Sequence, residues 1–160
     1  MATAITALAE LTLGSSASTV TFSNIPATYR DLRIVVNAAV SAEGNLQIRV
    51  NGDTGNNYAQ LRMLGYASTS YTSQASTTNS IVSNGATGLQ TTARALNTYD
   101  ILDYAQTDKN KAIIVRANHS EEVDALAARW ASNSAITSVA VLAGSTFTSG
   151  SSFALYGIAS

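Results

Sequence analysis

Leu46-Gln-Ile-Arg-Val-Asn-Gly-Asp-Thr-Gly-Asn-Asn-Tyr-Ala-Gln-Leu-Arg-Met63 holds two alternating runs around one turn. In the first, Leu46, Ile48 and Val50 share one face and Gln47 and Arg49 the other. Ala59 to Met63 repeats the pattern, with Ala59, Leu61 and Met63 opposite Gln60 and Arg62. A period of two is the mark of a half-buried strand. Between the runs lies Asn51-Gly52, and both residue types tolerate positive φ, which predicts a hairpin turn. Similar runs recur on both sides: Thr19–Ser23, Leu32–Val36, Tyr99–Tyr104, Ala112–Arg116, Ile136–Leu142 and Phe153–Ile158. Turn residues separate them, at Asn24-Ile-Pro-Ala27 and Asp108-Lys-Asn-Lys111 among others. Many short strands with frequent turns predict an all-β fold, a single antiparallel β-sandwich of jelly-roll-like type spanning residues 1–160. Leu46, Ile48, Val50, Ile101, Ile114, Val139 and Leu155 are the expected core.

Three segments read less simply. Residues 1–17 precede the first clear strand and are expected as an extended arm. Residues 65–98 are rich in Ser and Thr and poor in large apolar side chains. They read as a long excursion with one strand near Ile81, anchored by Tyr66, Tyr71, Val82 and Leu89. In Ser120–Trp130, Val123, Leu126, Ala127 and Trp130 follow helical spacing behind a capping serine. Leu126, Ala128 and Trp130 equally alternate as a strand.

Composition narrows the function classes. The chain has 9 basic and 10 acidic residues, a net charge of −1 and no cysteine. No single-signed field draws it to nucleic acid or an anionic membrane, so neither is expected as a partner. No apolar run approaches the length of a membrane span, and the first ten residues lack the pattern of a signal peptide, so use without secretion is expected. Only 12% of residues are charged, against roughly 25% in an average soluble domain. A hydroxyl-rich, weakly charged surface loses little on desolvation and suits contact with other subunits.

Candidate chemistry is thin. His119, in Asn118-His-Ser120, is the single histidine and lacks a nucleophile elbow; it reads as an exposed or rim residue. Glu121, Glu122 and Asp124 beside it form a weak metal-site candidate or a solvated acidic edge. Asp100 and Asp103 fall on opposite faces of a strand and make poor acid–base partners. Asn51–Tyr58 is rich in oxygen ligands but lacks the spacing and closing glutamate of a calcium loop; it reads as a turn held by its own side chains. Gly144–Ser152 has no lysine and reads as a strand connection, not a phosphate loop. Tyr58, Tyr66, Tyr71 and Trp130 could form a sugar-stacking platform, or else pack in the core. No catalytic, cofactor or metal residue is assigned, and the chain is expected not to be an enzyme.

Several phrases resemble a known domain: Phe22-Ser-Asn-Ile-Pro-Ala-Thr-Tyr-Arg-Asp-Leu32, then Ile48-Arg-Val-Asn-Gly-Asp-Thr-Gly-Asn-Asn-Tyr58, then Trp130, Ala135–Val139 and Phe147-Thr-Ser-Gly-Ser-Ser-Phe-Ala-Leu-Tyr-Gly-Ile158. Over residues 18–158 their order resembles a β-sandwich domain of tailed-phage virion proteins, cyanophage-like, found in head decorations and fibre tips. The resemblance implies a strand over 124–131. It also implies a virion structural protein, a capsid decoration (cement) protein made in the host cytoplasm and placed on the capsid surface. The partners would be the major capsid protein and further copies of the chain, as a dimer or trimer. The alternative is a glycan- or receptor-binding module at a fibre tip or on the head surface. A fibre also needs a shaft, which this sequence lacks, so decoration leads.

Overall fold

The computed structural model describes residues 4–66, 68–84 and 88–159. Twelve strands and no helix occur among them: β1 (Ile5–Thr12), β2 (Ala17–Phe22), β3 (Asp31–Ala38), β4 (Leu46–Val50), β5 (Tyr58–Tyr66), β6 (Thr69–Thr78), β7 (Ile81–Ser83), β8 (Ala95–Leu102), β9 (Lys111–Asn118), β10 (Glu122–Trp130), β11 (Val139–Phe147) and β12 (Ser152–Ile158). They form an eight-stranded sheet, β1-β12-β3-β8-β9-β10-β5-β6, and a four-stranded sheet, β2-β11-β4-β7. Every pairing is antiparallel. The chain passes repeatedly from sheet to sheet, as in a jelly roll, and the fold is the expected β-sandwich.

The core lies between the sheets. Leu32, Ile34 and Val36 of β3, Tyr99 and Ile101 of β8, and Ile113 and Val115 of β9 meet Leu46, Ile48 and Val50 of β4 and Val139 and Val141 of β11. All twelve are fully enclosed. Six of the seven expected core residues are buried; Ile114 is not, and lies 41% exposed. Ile113-Ile114-Val115 is continuously apolar, so local pattern sets no parity there. The sheet turns Ile113 and Val115 inward.

Asn51 (φ 51°) and Gly52 (φ 66°) do adopt the left-handed conformation. The turn is not a hairpin, however, because β4 and β5 belong to different sheets. It is a corner between layers, and side chains hold it. Asp53 accepts from Gly55 N–H (2.8 Å), from Asn57 Nδ2 (2.9 Å) and from Trp130 Nε1 (2.6 Å). Asn51 Oδ1 accepts from Thr137 N–H and its Nδ2 donates to Ala135 C=O, both at 2.8 Å.

Segments expected as irregular are ordered strands. Residues 5–12 of the expected arm are β1, which borders β12. The 65–98 excursion contains β6, β7 and the start of β8. The ambiguous 121–130 segment is a strand, β10, as the resemblance implied and helical spacing did not. At the close of the sandwich, a Cβ on Gly157 would collide with the Tyr29 ring, so no larger residue fits.

Candidate docking face

β5 and β10 are paired side by side; β5 is inverted relative to the alternation of Ala59, Leu61 and Met63, whereas β10 follows that of Leu126, Ala128 and Trp130. On β5, Tyr58 and Leu64 face the core, and Gln60 and Arg62 share that parity. Leu61 and Met63 therefore face outward, 51% and 60% exposed. On β10, Leu126 and Trp130 set the parity, which draws Glu122 and Asp124 inward and leaves Val123 67% exposed. The large residues decide, because burying Tyr58 and Trp130 removes more apolar surface from water than burying Leu61 or Val123 does.

The cross-strand register assembles these outward residues. Ile114, Ala127 and Leu61 form one row across β9, β10 and β5; Arg116, Ala125 and Met63 form the next. Ala125 and Ala127 are the floor of an apolar trough of about 360 Å³ walled by Leu61, Met63 and Ile114. A second hollow continues it past Val123 to Ser70 and Thr72 of β6. Beyond β9, charges on the same face are paired: Asp100 accepts from Arg33 Nε (2.6 Å) and Arg116 Nη2 (2.9 Å).

The inward polar residues have a structural task. β7 is an edge strand whose far side has no strand partner among the described residues. Gln60 supplies the missing ladder: Val82 N–H donates to its Oε1 (2.8 Å) and its Nε2 donates to Val82 C=O (3.1 Å). Arg62 Nη2 also donates to Val82 C=O. Its Nε lies 3.2 Å from Asp124 Oδ2, and Asp124 accepts from Asn84 N–H at 3.1 Å. Burial is the main influence on Asp124 and raises its pKa to about 6; Arg62 and the Asn84 N–H oppose this, while Glu122 adds to it.

The remaining candidates do not converge. His119 is buried rather than exposed, with Nε2 3.2 Å from Glu122 Oε2 and both side chains enclosed. Glu121 points outward, so the acidic cluster is split between two faces instead of forming a solvated edge. Among the described residues, no three His, Cys, Asp or Glu side chains gather for a metal. Asp100 lies on the outer face. Asp103 sits in the following turn at φ 47°, 3.0 Å from Lys109 Nζ. Tyr58 and Trp130 are core residues and Tyr66 is half-buried, so these three build no exposed platform; the Tyr71 side chain lies outside the described residues.

The trough escaped sequence reading because Ala59–Met63 alternates cleanly in either orientation. The one available signal was Arg62 and Asp124, opposite charges within two otherwise largely apolar strands.

No family model and no curated protein matches the chain. Among solved structures it is similar to a Caenorhabditis elegans galectin, with 10% identity, 91% of this chain and 94% of that one covered, and a TM-score of 0.43. It is also similar to an alginate lyase, with 13% identity, 93% and 77% coverage, and a TM-score of 0.37. Likeness at this level carries no argument about activity.

Proposed function

We propose that the chain is a non-catalytic virion structural protein, a capsid decoration protein that docks on the major capsid protein lattice and stabilises the head. The observation that supports this reading is the apolar trough on the outer face of β9, β10 and β5. Leu61, Met63, Ile114 and Val123 are exposed together on one sheet face, whereas scattered single apolar residues need no explanation. Alanines on the floor let a partner's side chains approach the backbone closely. Arg33 and Arg116 are already paired with Asp100, so docking here desolvates few free charges. The titratable pairs Arg62–Asp124 and His119–Glu122 are enclosed beneath the sheet and brace it.

The test is to add the chain to stripped heads and measure the temperature at which they fall apart. A Leu61→Glu/Ile114→Glu double variant should keep its fold and fail to bind, because carboxylates in the trough would be buried unpaired. Wild-type retention should survive washing at about 0.5 M salt, where the Debye length is roughly 4–5 Å. Heads with unchanged thermal stability, together with retention on host surface polysaccharide, would replace this reading with glycan binding.

A further inference from the structure

The sandwich has four sheet edges, and three of them are protected against pairing with another strand. β7 is capped by Gln60 and Arg62. β1 carries Glu10 and a register shift between Ala7 and Ala9. β2 has only six residues and its ladder is interrupted between the partners of Leu142 and Phe147. β6 differs. It is ten residues long, and Thr69–Thr78 contains no Asp, Glu, Lys, Arg or Pro. Its pairing with β5 is regular from Tyr66↔Thr69 to Gln60↔Ala75, and the shift comes only beyond that. Alternate N–H and C=O groups along Thr69–Ala75 therefore face away from β5. Long, flat, uncharged edges are templates for a further strand.

We propose that a second copy of this chain fills that edge, β6 pairing antiparallel with its symmetry mate about a two-fold axis through Thr72. The two eight-stranded sheets then run on as one. A two-fold places like residues opposite or near one another, so any charge on the strand would meet its own sign; β6 has none and is complementary to itself. Thr72 is the midpoint of the regular stretch, and its side chain is exposed. It also borders the Met63 hollow, so pairing joins the troughs of both copies into one apolar surface. This last point rests on the docking reading, whereas the dimer itself does not.

Sedimentation of the free chain, without capsids, tests the dimer from about 1 to about 300 µM. The mass should rise with concentration towards twice 16.6 kDa. Thr72→Lys should weaken association at least about tenfold, and so should Thr72→Glu. Mixing the two should restore dimers, which neither misfolding nor a remote interface would produce. Thr72→Val should dimerise as the wild type does. In hydrogen exchange, alternate amides of Thr69–Ala75 should gain protection only at high concentration. A wild type that stays monomeric throughout overturns the proposal. So does a dimer that tolerates Thr72→Lys and is lost on Leu11→Lys in β1 or Leu61→Glu in the trough. Dimers that fail to bind heads would count against docking and leave this inference standing; monomers that bind would do the reverse.

Discussion

Two isoleucines of the same local character carry opposite consequences. Ile48 is fully enclosed between the sheets, whereas Ile114 stands on the outer face. Ile48→Ala should cost about 2–5 kcal/mol in urea denaturation. Ile114→Ala should cost less than about 1 kcal/mol, since no cavity forms. A second residue-scale case is Asp53, whose carboxylate takes the indole N–H of Trp130. That bond, with the Asn57 and Gly55 donors, holds its pKa below the ordinary carboxylate value. A lowered folded pKa gives stability that is present above the unfolded value and is lost as pH falls towards the folded one. Asp53→Ala should therefore destabilise at neutral pH, by about 1–3 kcal/mol for a charge-assisted hydrogen bond. The difference from wild type should shrink below about pH 4. Conformation at Asn51-Gly52 was legible because positive φ is a property of the residues themselves. Its destination was not, since the same two residues can close a hairpin or turn a corner between layers.

At the scale of elements, β4 was readable and β5 was not, although both alternate perfectly. In β4 the apolar parity and the buried parity coincide. In β5 they are opposed, because Gln60 and Arg62 serve Val82, a residue more than a turn and a strand away that no local pattern can register. Gln60→Ala should leave the Val82 amide without its partner, speed its hydrogen exchange and cost about 1–3 kcal/mol. Asp124 on β10 provides a pH test. Its folded pKa of about 6 exceeds the ordinary 3.8, chiefly because it is buried. Between those values the folded chain binds more protons than the unfolded one, so stability rises as pH falls from above 6 towards 4. The rise should be on the order of 1–3 kcal/mol. Chemical denaturation across that window should show the slope, and Asp124→Asn should flatten it; an unchanged slope in the variant would assign the effect elsewhere.

For the whole molecule, the sandwich class followed from period-two runs, but β1, β6 and the order of strands in each sheet did not. β12 lies between β1 and β3, and β11 lies between β2 and β4. Such neighbours come from opposite ends of the chain and leave no trace in any short window. Their placement has a consequence for biosynthesis. β11 and β12, which follow the other ten strands in the sequence, are interior members, one in each sheet. Until they arrive, β3 has an open side, and β2 and β4 have none of the pairing that joins them. Folding must then wait for β12, with long loops closed before the contacts that offset their entropy, and refolding should take milliseconds to seconds. A nascent chain stalled before Val139 should be protease-sensitive throughout, whereas one stalled with Ile158 well clear of the ribosome should be resistant.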